Sequence, residues 1–285
     1  MKKQTILMSA LFALLAAGAV LTACSSDSDT PEPVKTFYMS VDATKQVSED
    51  MVRATRALSL DGTTLNVVWA TTEHVYVQGT LVSNASKFWF KGSIQPQSAG
   101  TTTRLNGTVT LPDGWSGSID ELIGEAHYLT LQFPRSGTPD YTGQKGTLAD
   151  IAEKYDYAIA ANVRCDIVDG HIEGVNPAIF ENQQAIVKFT FIDKADGTTR
   201  LNPTALTIKY GTETEDIELT SIPASTYATN GDGVIFVAIR GFAKQDVTLT
   251  ATVGSDTYTF TKKNFTFENG QYYEINVKMK QRTTS

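Results

Sequence analysis

The sequence predicts an all-β protein built as two tandem β-sandwich domains. Three observations carry this. Apolar and polar residues alternate at period two along most of the chain, as half-buried strands require. The alternating runs are short and are separated by turn sequences, among them Asp61-Gly62, Asp196-Gly197, Asn230-Gly231-Asp232-Gly233, Gly254-Ser255-Asp256 and Asn269-Gly270. The 285 residues, 41% of them hydrophobic, suit two sandwiches of ordinary size better than one.

Residues 1–23 read as a signal peptide. Lys2 and Lys3 precede an apolar stretch from Ile6 to Val20, which is short for a membrane span. Leu21-Thr22-Ala23-Cys24 then matches the end of a bacterial lipoprotein signal, in which the cysteine thiol is acylated and becomes the new N-terminus. Cys24 is therefore the expected lipidation site, holding the chain to a bilayer without threading it through. Residues 24–35 are polar, acidic and punctuated by Pro31 and Pro33. They cannot bury apolar area and read as a disordered tether.

The first strand runs from Thr36 to Thr44, with Phe37, Met39, Val41 and Ala43 on its apolar face. Residues 45–55 read as a loop; two arginines, Arg53 and Arg56, stand among small residues at this join. Alternation resumes in Leu65, Val67 and Trp69, then in Val75 and Val77. It continues through Phe88 and Phe90 about Trp89, Val109 and Leu111, and Leu129, Leu131 and Phe133. One short helix is expected after Thr147. The Thr147 oxygen and Asp150 suit a capped first turn, Leu148, Ile151 and Tyr155 share a face, and the helix stops near Lys154. Tyr157, Ile159, Ala161 and Val163 are then expected to face one way.

The domain boundary is placed within 174–182, giving an N-terminal sandwich over 36–178 and a C-terminal one over 179–285. The second half repeats the pattern in Val187, Phe189 and Phe191, in Leu206, Ile208 and Tyr210, and in Ile217 and Leu219. Val234 to Ile239 is continuously apolar, as a central strand covered on both faces would be. Val247, Leu249, Ala251 and Val253 follow, then Tyr258 and Phe260. Tyr273, Ile275, Val277 and Met279 close the series.

The chemistry-bearing residues are sparse. A formal net charge of −7 argues against a nucleic-acid partner, which needs a basic footprint. His74, His127 and His171 stand at no metal-ligand spacing, so no metal site is expected. No Gly-x-Ser-x-Gly occurs, and Gly143-Gln144-Lys145-Gly146-Thr147 lacks the order of a phosphate loop. No catalytic residue and no cofactor is expected. With Cys24 acylated, Cys165 has no disulfide partner; it shares a face with Val163 and Ile167 and reads as a small buried hydrophobe. Trp69 reads as core, whereas Trp89 and Trp115 are the candidates for a sugar-stacking contact.

Several segments, in order, resemble the fimbrillin (Mfa-like) family of fimbrial subunits. They are the lipoprotein signal, the lone strand and Arg-containing loop, Leu65-Asn66-Val67-Val68-Trp69, and Val75-Tyr76-Val77. The Gly146-to-Tyr157 helix leading into Tyr-Asp-Tyr follows, then Ala185-Ile186-Val187-Lys188-Phe189-Thr190-Phe191 and the closing Asn269-to-Met279 run. Many relatives have Gly-Asp where this chain has Thr72-Glu73-His74. The resemblance implies two transthyretin-like sandwiches and surface export as an outer-membrane lipoprotein. It also implies a non-enzymatic adhesion subunit of a fimbrium, with other fimbrial subunits and an Arg-specific protease as partners. The protease would cut after Arg56, or after Arg53, and remove the Phe37–Ala43 strand. A strand from another subunit would refill the groove. Six residues follow Met279, few for an added strand; either the last strand swings out, with Tyr273, Ile275, Val277 and Met279 as the candidate donor residues, or the subunit has no donor and would cap a fibre at its tip. The alternative is a non-polymerising surface lipoprotein that binds glycan through Trp89 or Trp115.

Overall fold

The computed structural model describes residues 35–45, 57–61, 64–134, 140–210 and 217–282. The expected signal peptide, Cys24, most of the tether, Arg53 and Arg56 lie outside these residues. No helix among the described residues is long and apolar enough to cross a membrane.

The fold is all-β. In chain order the strands of the first half are β1 (Thr36–Lys45), β2 (Ala57–Asp61), β3 (Thr64–Val68), β4 (Tyr76–Thr80), β5 (Lys87–Trp89), β6 (Lys91–Pro96) and β7 (Thr102–Thr110). Helix α1 (Ile119–Ile123), β8 (Tyr128–Phe133), α2 (Leu148–Lys154), β9 (Ala158–Val168), β10 (His171–Gly174) and β11 (Ala178–Asn182) follow. The second half holds β12 (Ala185–Asp193), β13 (Ala205–Tyr210), β14 (Ile217–Leu219), α3 (Ala224–Asn230), β15 (Val234–Ile239), β16 (Phe242–Val253), β17 (Asp256–Phe267) and β18 (Tyr272–Gln281).

Strands of the first half make a nine-stranded sheet with path β5-β4-β8-β9-β10-β1-β7-β6, and β11 pairs with both β1 and β9. Val75, just before β4, bridges Ile94 of β6 through two backbone hydrogen bonds of 2.9 Å. The sheet thereby curls over its own core. That core includes Trp69, Phe90, Ile94, Leu105, Leu129, Leu131 and Phe180. The second sheet runs β14-β13-β16-β17-β18-β12-β15 around a separate core of Val187, Phe189, Phe191, Ile208, Leu249 and Val277, among others. β11 is the last strand of the first sheet and β12 opens the second.

Four features differ from the sequence reading. The face of β9 was expected to hold Ile159 and Ala161, but Ala158, Ala160, Val163 and Cys165 are the buried residues. The pairing of β8 with β9 shifts register between Leu129 and Leu131, and Asn162 takes φ 55°. The extra residue of this bulge flips the inward phase. The helices number three among the described residues. The short α1 carries a full capping box between Ser118 and Glu121, and α3 is not capped by a side chain.

The expected helix is α2, with Thr147 accepting from the Asp150 amide. Its buried Ile151, however, joins the second core, with Tyr141, Tyr155 and Val67. Finally, Val234–Ile239 is an edge strand of its sheet, not a central one. Its free edge is covered by residues from the first half. The Phe236 amide donates to the Gly146 carbonyl at 2.9 Å. The buried Gln144 amide imitates a neighbouring strand: its Oε1 accepts from the Ala238 amide at 2.7 Å and its Nε2 donates to the Ala238 carbonyl at 2.8 Å. An unpaired edge is thus closed against added strands.

Candidate functional site: the first strand and its slot

β1 is a ten-residue strand of alternating character. Phe37, Met39, Val41, Ala43 and Lys45 point inward and are at most 2% exposed. Tyr38, at 44% exposure, and Asp42 point to solvent. β1 lies in the interior of its sheet. One edge pairs antiparallel with β7 without interruption from Thr36↔Thr110 to Thr44↔Thr102. The other edge pairs parallel, first with β10 (Tyr38↔His171 to Ser40↔Glu173), then with β11 (Ala43↔Ala178 to Lys45↔Phe180). At the handover from β10 to β11, Gly174 sits against Val41; a Cβ there would come within 2.4 Å of Val41 Cγ2. On the solvent face Arg104 of β7 reaches across β1 to Asp42 at 3.0 Å and to Glu173 of β10 at 2.5 Å. Exposed pairs of this kind contribute little to stability.

The inner end of β1 is ionic. Lys45 Nζ donates to Glu73 Oε1 at 3.0 Å, to Glu73 Oε2 at 3.1 Å and to the Val68 carbonyl at 3.2 Å, and lies 3.7 Å from Asp156 Oδ2. The ammonium also stands 4.5 Å from the ring centre of Trp69 and 4.8 Å from that of Phe133, placements in which the ring faces attract a cation. The side chains of Lys45 and Asp156 are 1% exposed and that of Glu73 10%. Asp156 Oδ1 accepts from the buried Gln184 at 3.2 Å, and Glu73 Oε2 accepts from the Ala70 amide at 3.2 Å. Burial raises the Glu73 carboxyl above its usual range, and the Lys45 charge pulls it back. Among the described residues, both ion pairs of Glu73 and Asp156 are to Lys45.

Lys45 was read as the start of a loop. It is the last residue of the strand, and its position continues the period of Phe37, Met39, Val41 and Ala43. That period was the signal for an inward lysine. Glu73, just before β4, and Asp156, between two tyrosines, supply its counter-charges.

The other sequence candidates lie elsewhere. Tyr273, Ile275, Val277 and Met279 fall on β18, which pairs in parallel with β12 from Ile186↔Tyr272 to Asp193↔Met279. Val277 and Met279 are fully buried in the second core. On its other side β18 pairs with β17 at Tyr258↔Gln281 and Thr259↔Lys280. An apolar cleft of about 260 Å³ lies between Phe260, Phe265 and Phe267 on one wall and Ile275 and Val277 on the other. Trp89 is half-buried on β5, paired with Gln78. Trp115 packs on the first core and its Nε1 donates to the Ser118 carbonyl at 3.1 Å. Trp69 is fully buried, in edge contact with Phe180 at 4.9 Å. Cys165 is buried, and its thiol is pushed up to about 12 by burial and by Asp166 and Glu173 nearby. Among the described residues no group of His, Cys, Asp and Glu is arranged to hold a metal ion.

The chain matches no protein-family model and no curated protein. In structure it is similar to fimbrial and cell-adhesion proteins of Bacteroides and related bacteria. A candidate cell adhesion protein of Bacteroides fragilis shares 9% identity, with 87% of this chain and 98% of that one covered and a TM-score of 0.45. The tip fimbrial protein Mfa3 of Porphyromonas gingivalis, with a C-terminal truncation, shares 9%, with 87% and 98% covered and a TM-score of 0.37. A fimbrial protein of Bacteroides ovatus shares 10%, with 85% of this chain covered and a TM-score of 0.38; this chain spans 48% of its length. The likeness is one of overall structure, and identity at this level transfers no role.

Proposed function

We propose that the chain is a structural subunit of a surface fimbrium that serves cell adhesion and is not an enzyme. It is exported as an outer-membrane lipoprotein through Cys24 and assembles by strand exchange. An Arg-specific protease cuts after Arg56, or after Arg53, and severs β1 from the body of the protein. A strand from another subunit then takes its place.

The observation that carries this reading is the position of β1. It is an interior strand of its sheet, yet residues 46–56 are its link to everything that follows. A cut there leaves β7 on one side and β10 and β11 on the other with unpaired backbone groups, above a floor of apolar side chains. Phe37, Met39 and Val41 are 0–2% exposed. At ~1.5–3 kcal/mol for each buried side chain, an empty slot forfeits roughly 5–9 kcal/mol of apolar burial. A vacated slot is therefore a strong acceptor for any strand of matching pattern.

The test is the intact mass of the folded chain after brief treatment with an Arg-specific protease. A single loss ending at Arg53 or Arg56, abolished in the Arg53→Ala/Arg56→Ala variant, is the expected result. A folded chain that resists the protease would return residues 46–56 to the status of an ordinary loop. It would favour the membrane-tethered glycan binder instead.

A further inference from the structure

The ionic end of the β1 slot has a consequence for what can fill it. Glu73 and Asp156 both lie C-terminal to Arg56, so both remain in the body of the protein when β1 is severed. Their cation does not, because Lys45 leaves with β1. The two carboxylates, buried around Lys45 while β1 is in place and beside the Trp69 and Phe133 rings that face its ammonium, are buried again without a cation when an uncharged strand refills the slot. Buried charges that lose their partner are strongly disfavoured. An incoming strand that brings backbone pairing and apolar contacts but no cation would therefore bind more weakly than one that restores the charge.

We propose that the slot selects its donor by charge: the strand that replaces β1 carries four alternating inward apolar side chains and then a basic side chain at the place of Lys45. This rests on the strand-exchange reading given above. The apolar part is set by the positions of Phe37, Met39, Val41 and Ala43, which many strands would match. The fifth inward position is the discriminating one, because it faces Glu73 at 3.0 Å and Asp156 at 3.7 Å.

The chain's own last strand lacks this feature. Its inward series Tyr273, Ile275, Val277 and Met279 fits the four apolar places, but the next residue of the same phase is the uncharged Gln281. Lys278 and Lys280 fall on the opposite face. Entered in the reverse direction, the series Met279, Val277, Ile275 and Tyr273 leads to Gln271, again uncharged. Two copies of this chain are therefore mismatched as donor and acceptor, and the partner is a different subunit whose donor strand ends in a basic residue.

The experiment uses the Arg-cleaved full chain holding a fluorescent peptide of residues 36–45 in the slot. Unlabelled competitors are the same peptide, its Lys45→Met form, and a peptide of residues 272–282. The native peptide should displace the label. The Lys45→Met peptide should be at least ~100-fold weaker, the range expected when a buried charge loses its partner. The 272–282 peptide should also be weak. In a Glu73→Gln/Asp156→Asn chain the preference for lysine over methionine should collapse. Equal competition by the lysine and methionine peptides on the native chain would overturn the proposal while leaving strand exchange intact. If no peptide exchanges, strand exchange is what fails. The charge requirement is then read in the uncut chain, where Lys45→Met must lower the unfolding midpoint in the native background far more than in the Glu73→Gln/Asp156→Asn background. Equal shifts in the two backgrounds would overturn it.

Discussion

Replacing Gln144 with alanine tests how this fold confines strand addition to one place. Gln144 is 1% exposed and makes three side-chain hydrogen bonds: to the Ala238 carbonyl, from the Ala238 amide, and to the Tyr141 carbonyl at 2.7 Å. Alanine leaves both backbone groups of Ala238, a residue of 0% exposure, without these partners. At ~1–3 kcal/mol for each unsatisfied buried group, the loss is roughly 2–6 kcal/mol. For a chain of this size that lowers the melting midpoint of the second core by about 4–24 °C. All three tryptophans lie before residue 116, so their fluorescence follows the first core and not this one. The assay is therefore calorimetry combined with hydrogen exchange at the Ala238 amide. Exchange at that amide should accelerate together with the fall in midpoint, and the variant should self-associate through the uncovered β15 edge. A variant that loses under ~1 kcal/mol and keeps the Ala238 amide protected would refute the view that Gln144 stands in for a neighbouring strand.

Other outcomes follow from the same geometry. Gly174→Val drives a side chain into Val41 and loosens β1 from β10; the uncut protein should show faster exchange of the Tyr38 and Ser40 amides, which lie on the β10 side of β1, while the second core melts unchanged. Met39→Asp places a charge in the floor of the first core and should cost roughly 3–5 kcal/mol, comparable to an unpaired buried charge, read by tryptophan fluorescence in urea. The Cys165 thiol should resist alkylation in the folded protein at pH 8 and react fully in denaturant. Its ionisation is raised from an ordinary value near 9 to about 12 by burial. The unfolded chain thus gives up this proton first, so stability contributed by the neutral thiol is present below pH 9 and is lost as pH rises towards 12. A Cys165→Ala variant should show a shallower alkaline decline in urea titrations.

Much of the fold was legible because alternation is a local signal. The apolar face of β1, the turns and the Thr147-capped helix needed only neighbouring residues to be read. What was missed depended on distant partners or on single-residue offsets. The bulge at Asn162 shifted the phase of β9, and nothing in its own run marks a residue that leaves the ladder. The continuous apolar run of β15 was read as a central strand; it is an edge strand because Gln144, distant in sequence, supplies the missing neighbour. The α2 face was correct, but the core it joins is the second one, a choice made by tertiary packing. At the slot, Phe37 to Ala43 were legible and Lys45 was not. A lysine at the end of a strand reads as solvent-facing until its counter-charges at Glu73 and Asp156 are brought beside it.

The central claim, that β1 is exchanged for a strand of another subunit, is tested most directly by hydrogen exchange along β7, β10 and β11 in three samples: the uncut chain, the Arg-cleaved chain freed of residues 36–45, and the assembled oligomer. The amides facing β1 should be protected in the first, exposed in the second and protected again in the third, with residues 36–45 absent from the oligomer by mass. Oligomers that retain residues 36–45, or that assemble while those amides stay exposed, would contradict it.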